Sequence, residues 1–293
     1  MSLRPRFVAA GVLVALFGVA LGIGALVGDP DERAPGDTGT PAASGLSAAA
    51  SGYRLTDLTA PAAPNEAGTL RLRVLGPDGA PLTRFATQHE KKLHLIVVRS
   101  DTTEYRHAHP RMDADGLWSV DWTWAAPGTY RVFADFVPET PDSPGDLVLS
   151  ETVTVTGDAT PRPLAPISET ASVDGYQVTR HGELDTRGGE LRFTVSRGGF
   201  PVSDLEPYLG ANGHLVALRA EDLAYLHVHP QTDGSRGPDV TFHAKALGAG
   251  RYRLYLDFAH GGSVHTAEFT VDARVLTDSS TGGDGVHTGG GHP

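Results

Sequence analysis

The sequence contains no cysteine and only two methionines, Met1 and Met112. Without cysteine the chain can form neither disulfides nor thiolate metal sites, and it has no cysteine to carry a lipid anchor. With so little methionine, a soft cuprous site is poorly supported. Any metal ion bound by this chain must therefore be held by nitrogen or oxygen atoms.

Basic residues are also scarce, because 24 Lys and Arg stand against 35 Asp and Glu and the formal net charge is −11. Nucleic-acid-binding proteins usually cluster Lys and Arg on one surface, where these residues displace counterions from phosphates. Nucleic acid is therefore not an expected partner. The sequence also lacks a nucleophile-elbow pattern and a phosphate-binding glycine loop, and no separate general base stands out. We therefore do not expect an enzyme.

The N terminus carries a long hydrophobic run. Arg4 and Arg6 precede an uncharged segment from Phe7 to Gly28, and acidic residues follow it. About 20 apolar residues span a bilayer, and a basic flank favours the cytoplasmic side. We therefore expect residues 1–28 to form an uncleaved transmembrane anchor, with the rest of the chain outside the cytoplasm. The alternative is a signal peptide cleaved within Ala42 to Ala50, which would release a secreted protein.

An internal repeat organises the rest of the chain. The segment from His94 to Arg99 recurs from His214 to Arg219, and the segment Tyr105 to Pro110 recurs without a gap as Tyr225 to Pro230. Self-similarity of this kind indicates duplicated domains. The expected organisation is a disordered stalk over residues 29–51, domains over 52–157 and 175–273, a linker over 158–174, and a disordered Gly- and His-containing tail over 274–293.

Within each copy, short runs rich in Val, Leu, Thr, Tyr and Phe are separated by Gly, Pro and Asp, and no helical period is sustained. This pattern is typical of strands and hairpin turns. About seven strands in roughly 100 residues is the signature of an immunoglobulin-like sandwich. The sequence therefore predicts an all-β protein with two tandem immunoglobulin-like β-sandwich domains after the anchor.

Three histidines stand at matched positions in both copies, although the residues between them differ. Alternate side chains of a strand share a face, and a hairpin would bring the histidine of the preceding strand beside the His-x-His pair. Three imidazoles can hold one ion at about 2 Å and leave a coordination position open. The predicted metal ligands are His94, His107 and His109 with His89 as an additional donor in the first copy, and His214, His227 and His229 in the second.

Imidazoles combined with water or carboxylate suit Cu(II) or Zn(II), and the usual affinity order favours Cu(II) without identifying the physiological ion. Asp135 and Asp257 also match between the copies. They either orient a ligand histidine or form ion pairs with Arg99 and Arg219, and the ion pairs are the simpler interpretation. The sequence thus predicts an extracytoplasmic protein that sequesters, senses or transfers Cu(II) or Zn(II).

Other interpretations stay open at this point. The histidines are equally compatible with a hydrogen-bonded structural cluster. In that case the chain is an immunoglobulin-like module whose partner is another envelope protein. A metal titration separates the two, because ligand imidazoles lose affinity as they become protonated whereas a structural cluster need not bind metal. A zinc hydrolase is a third and weaker alternative.

The segment from Gln88 to Val98 and its counterpart from Glu206 to His214 each lead to a His-x-His-Pro motif. They resemble a family of bacterial membrane-anchored or secreted proteins described as heavy-metal-binding or uncharacterised. The resemblance spans both domains and implies an extracytoplasmic location and a link to copper or another heavy metal. The architecture also resembles small periplasmic copper-resistance sandwiches. The chain departs from those in lacking Met-rich segments and a free N-terminal histidine, so the resemblance does not extend to cuprous-ion shuttling.

Overall fold

The structure is a computed structural model that describes residues 44–226, 228–231 and 234–276. These residues form strands joined by turns and contain no α-helix, which confirms the predicted all-β class. Among them no helix has the length and apolar character needed to cross a bilayer. The predicted anchor, residues 29–43 of the predicted stalk, His227 and residues 277–293 of the predicted tail lie outside the described residues.

The first ten strands build a sandwich of two sheets, hereafter the first sandwich. Its strands are β1 (Ala49–Ala50), β2 (Tyr53–Thr59), β3 (Gly68–Leu75), β4 (Phe85–Ala86), β5 (His94–Arg99), β6 (Arg106–Ala108), β7 (Arg111–Met112), β8 (Leu117–Trp122), β9 (Gly128–Pro138) and β10 (Leu147–Val155). One sheet has the order β1-β2-β3-β8-β7, and the other has the order β10-β9-β5-β6 with β4 attached to β9. Buried side chains such as Leu72, Trp118 and Val132 fill the space between them.

The next ten strands repeat this plan in a second sandwich. Its strands are β11 (Thr170–Val173), β12 (Tyr176–His181), β13 (Gly189–Arg197), β14 (Phe200–Pro201), β15 (His214–Arg219), β16 (Tyr225–Leu226), β17 (Val228–Gln231), β18 (Asp239–Ala244), β19 (Gly250–His260) and β20 (Ser263–Ala273). The sheets have the orders β11-β12-β13-β18-β17 and β16-β15-β19-β20. Residues including Phe193, Leu215 and Phe269 form a separate core.

The sheets that contain β5 and β15, here called the inner sheets, pack against each other. A third cluster of buried residues joins them, and it includes Ile96, Phe133, Val216 and Tyr255. Because side chains alternate along a strand, Leu95 enters the core of the first sandwich while Ile96 enters this inter-sandwich cluster. The central strands of the inner sheets are therefore buried on both faces.

The structure differs from the predicted boundaries at two short strands. Ala49–Ala50 lies in the predicted stalk but pairs with β2, and Ala50 is buried. Thr170–Val173 lies in the predicted linker but pairs with β12. Both are edge strands of small or polar residues, which carry little β-strand signal in the sequence and are ordered by pairing with a neighbour.

Candidate metal centre

A histidine and an aspartate face each other at one end of each inner sheet. His94 is paired in register with Asp135 across β5 and β9, and His214 is paired with Asp257 across β15 and β19. His94 shares its strand face with Ile96, so it points toward the second sandwich. The same alternation points His214 toward the first sandwich. The two matched histidines therefore meet at the inter-sandwich boundary, where their rings stack 5.2 Å apart at 9°.

A third histidine, His107, joins this pair from β6. It lies opposite Ile96 in the register of β5 and β6, and its side chain is 2% exposed. Its Nε2 atom lies 3.0 Å from Nδ1 of His94. His94, His107 and His214 each offer a ring nitrogen within 4.8 Å of the other two, and we call them the histidine cluster. The cluster takes two members from the first sandwich and one from the second.

Hydrogen bonds assign the protons of two of these rings. Nδ1 of His107 lies 2.9 Å from a carboxylate oxygen of Asp257, and Nε2 of His94 lies 3.1 Å from the carbonyl oxygen of Gln88. A carboxylate and a carbonyl can only accept, so each of these ring nitrogens donates. The opposite nitrogens, Nδ1 of His94 and Nε2 of His107, are then the two that face each other at 3.0 Å.

The surroundings of the cluster keep the imidazoles of His94 and His214 neutral. Burial, together with the neighbouring His107, lowers the pKa of His94 from 6.5 to about 3. The same causes lower the pKa of His214 well below its ordinary value. A neutral His94 that donates from Nε2 has a lone pair on Nδ1.

Two facing lone pairs repel each other, and a cation between His94 and His107 would relieve this repulsion. A proton on Nε2 of His107 would complete a hydrogen bond to Nδ1 of His94 but would give His214 no partner. A metal ion would also serve His214, whose buried Nδ1 has no hydrogen-bond partner among the described residues. Nitrogens around a tetrahedral ion at 2.0–2.1 Å lie roughly 3.3 Å apart, which is near the distance between His94 and His107. The nitrogen of His214, which lies within 4.8 Å of the other two, would have to approach to that spacing.

The carboxylates beside the cluster are held by tyrosines of the opposite sandwich. The hydroxyl of Tyr105 donates to Asp257 at 3.3 Å, and the hydroxyl of Tyr225, its repeat counterpart, donates to Asp135 at 3.1 Å. Burial and the adjacent aspartate raise the pKa of both phenols well above 10, so both stay protonated donors. Asp257 also accepts from Thr266 at 2.6 Å. Each sandwich thus donates a tyrosine hydroxyl to an aspartate of the other, as expected where two matched surfaces pack on each other.

The preferred interpretation of Asp135 and Asp257 as partners of Arg99 and Arg219 is wrong. Arg99 pairs with Asp101 at 2.8 Å, and Arg219 pairs with Asp222. The strand register explains this, because Asp135 lies opposite His94 while Arg99 lies opposite Tyr130, five residues or roughly 17 Å along the strand. For Asp257, the alternative that an aspartate orients a histidine agrees with its contact with His107.

Two further predicted ligands of the first copy flank the cluster. The ring of His109 lies 4.7 Å from that of His107, and its buried Nε2 has no hydrogen-bond partner among the described residues. The half-buried ring of His89 lies 6.1 Å from that of His94 and 5.7 Å from that of His214. Both are near the cluster, but neither belongs to the group whose nitrogens lie within 4.8 Å.

The second predicted site does not form as expected. His214 joins His94 and His107 instead of gathering its own copy's histidines, His227 is outside the described residues, and His229 is exposed. The cause is a difference in strand path. In the first copy β6 stays in the inner sheet through Ala108, whereas the second copy leaves that sheet after Leu226 and continues as β17 in the other sheet. His229 is thereby carried away from His214 and pairs in register with His243.

The sequence left open whether the histidines of the two copies form one shared group or two separate groups. The signal was present in the run His94 to Val98, because an antiparallel strand with one solvent face alternates between apolar and polar residues. The absence of that alternation indicates burial on both faces. It could have predicted an inter-sandwich contact, and with it Tyr105 and Tyr225 as hydrogen-bond donors at that contact.

A family model described as Domain of unknown function (DUF8832) matches the chain in two segments, residues 48–143 and 171–275. No curated protein matches the chain. Among solved structures, domains 4 and 5 of the S-layer protein SbsC are 14% identical, with 77% of this chain and 98% of that chain covered and a TM-score of 0.23. Yersinia pseudotuberculosis InvD is 10% identical, with 78% of this chain and 58% of that chain covered and a TM-score of 0.25. The fibronectin(III)-like modules of Clostridium thermocellum CbhA are 13% identical, with 75% of this chain and 93% of that chain covered and a TM-score of 0.20. At these identities and TM-scores the likeness carries nothing about function.

Proposed function

We propose that the protein, which belongs to the DUF8832 family and matches the family model in two segments, binds one divalent metal ion between its two β-sandwiches. The ligands are His94, His107 and His214. The observation that carries the proposal is the 3.0 Å approach of two ring nitrogens whose outer partners leave lone pairs facing each other. The unpartnered Nδ1 of buried His214 supports the same conclusion.

The donor set favours Cu(II) or Zn(II). Imidazole is a borderline ligand that suits both ions, and the chain has no thiolate to offer. The contact between Asp257 and His107 fits a metal ligand, because a histidine that binds a metal commonly donates its other N–H to a carboxylate. With three protein nitrogens, a fourth position is left for water or for one of the flanking histidines.

We propose binding rather than catalysis because the site has little free space. The cavity lined by His89, His94, His214 and Tyr225 has a volume of about 10 Å³. This is about the size of one water molecule, whereas pockets for organic ligands measure roughly 300–1,000 Å³. An ion fits such a space and an ester or a sugar does not. Sequestration, sensing or transfer of the ion is therefore the proposed role.

The proposed location is the outer side of a cell membrane, with residues 1–28 as the anchor. The support comes from the sequence, in which Arg4 and Arg6 precede the apolar run from Phe7 to Gly28. A protein tethered in this way would meet metal ions from outside the cell. Another envelope protein would be a reasonable source or acceptor of the ion.

Calorimetric titration of the full-length protein with Zn(II) and Cu(II) tests the proposal. We expect one tightly bound ion per chain, at micromolar or lower Kd, and loss of this binding in His107→Ala and in His214→Ala. Loss through a residue of either sandwich distinguishes a shared site from two separate ones. His229→Ala is the matched control, since His229 is exposed on β17, and it should keep the tight ion.

Absence of a tight ion in the wild-type protein would contradict the proposal. The cation between His94 and His107 would then be a proton, and the cluster would be a structural part of the interface. Two equivalent ions per chain would also contradict it, because the described histidines build one group. Far-UV circular dichroism of each variant ensures that a loss of binding does not reflect unfolding.

A further inference from the structure

Two turns with the same unusual backbone face each other above the histidine cluster. In the first sandwich, His89 and Glu90 have φ angles of 44° and 64°, and in the second, Leu209 and Gly210 have φ angles of 56° and 79°. Each turn is closed by backbone hydrogen bonds between its flanking residues, as in Gln88 with Lys91. Two central residues at positive φ define a tight hairpin turn. Both copies have the turn, but only the turn of the first copy carries side chains that can bind a metal ion.

The two turns approach each other closely, and the first turn lines the small cavity. A Cβ atom on Gly210 would lie 3.8 Å from Cγ of Glu90, so the glycine allows a close approach. His89 lines the cavity together with buried His94 and His214 and is itself half-buried. Its ring is farther from these two rings than they are from each other. Of the three histidines that line this cavity, His89 is therefore the most exposed to solvent.

The turn is also linked to a ligand of the site. The carbonyl oxygen of Gln88, the residue that begins the turn, accepts the hydrogen bond from Nε2 of His94. A displacement of this turn would therefore change the orientation of His94. Exposed Glu90, the neighbour of His89 in the turn, adds a negative charge there, and negative charge beside a cleft raises the local concentration of cations.

We infer that the metal ion reaches the cluster at the His89–Glu90 turn and that His89 is its first protein ligand. His89 replaces one water of the hydrated ion and passes the ion to His94, His107 and His214, after which the turn closes over the site. The inference rests on the proposed function, because it requires a metal at the cluster. It assigns His89 a role in the rate of binding, which differs from that of a permanent fourth ligand.

Stopped-flow mixing of the full-length protein with Zn(II), read out by a competing chromophoric chelator, tests this role. The variant is His89→Asn, because asparagine tolerates positive φ and keeps the turn while the imidazole is removed. Association and dissociation should both slow by roughly tenfold or more, and Kd should change little, since an entrance ligand acts on both directions. Glu90→Gln should slow association less and weaken its dependence on salt.

The control is His243→Asn on β18, an exposed histidine of the other sheet, which should leave both rates unchanged. A weaker Kd for His89→Asn with an unchanged association rate would overturn the inference and make His89 a permanent ligand. Unchanged rates and unchanged Kd would overturn it as well. If wild-type protein binds no Zn(II), the proposed function itself fails, and that result is visible before any variant is compared.

Discussion

At the scale of single residues, Asp257 is the group that fixes which nitrogen of His107 faces the cluster. It accepts from His107, Tyr105 and Thr266, and these partners come from both sandwiches. Loss of such a carboxylate partner typically weakens metal binding by about 10- to 100-fold. We expect Asp257→Asn to weaken the Kd for Zn(II) within that range, measured by competition titration. Exposed Asp272 on β20 provides the control, and Asp272→Asn should bind as the wild type does. An unchanged Kd with lower stability would mean that Asp257 only supports the interface.

The pKa values of the same residues determine how the metal-free protein responds to acid. In the folded state the pKa of His94 is lowered to about 3 and that of His214 is lowered well below its ordinary value, whereas unfolded histidine titrates near 6.5. As pH falls below 6.5 the unfolded chain therefore binds protons that the folded chain does not, and the folded state loses stability. Each buried ring contributes up to about 1.4 kcal/mol per pH unit.

We expect the free energy of unfolding, measured with urea in the presence of a chelator, to fall between pH 6.5 and 5. Carboxyl groups contribute little in this window because their ordinary pKa values lie near 4. His94→Gln should make the slope shallower by about one proton. A slope identical to that of the wild type would show that His94 is not held neutral in the folded state.

At the scale of strands, much of the fold was predictable and the register of the site was not. The turn residues and the apolar runs identify the inner strands, and the matched copies identify His94 and His214 as equivalent. The approach of His107 to His94 also follows from a hairpin between adjacent strands, as the register of β5 and β6 shows. Local patterns are sufficient for these features because each depends on residues close together in the chain.

The partner of each histidine depends on contacts that no local pattern specifies. His94 and His214 are 120 positions apart and meet only because the inner sheets pack on each other. The path of the second His-x-His segment depends on where the chain crosses between sheets, and this point differs between copies that share the motif. Because the second copy leaves the inner sheet two residues earlier than the first, His229 lies in the other sheet, which explains its exposed position.

At the scale of the whole molecule, the shared site should couple the stability of the two sandwiches. The inner sheets already join through buried residues such as Ile96, Val98 and Val216, so we expect the metal-free protein to unfold in one calorimetric transition. A metal ion with ligands from both sides binds only while the sandwiches are docked. At a free concentration of 100 times Kd it should add about 2.7 kcal/mol to the free energy of unfolding.

Differential scanning calorimetry with Zn(II) and with a chelator measures this as an increase in Tm of the single transition. His214→Ala, a change in the second sandwich alone, should abolish the increase for the entire molecule, whereas His243→Ala in the same sandwich should retain it. If Zn(II) stabilised the first sandwich in the His214→Ala variant as much as in the wild type, the ion would be held by the first copy alone and the two sandwiches would not share it.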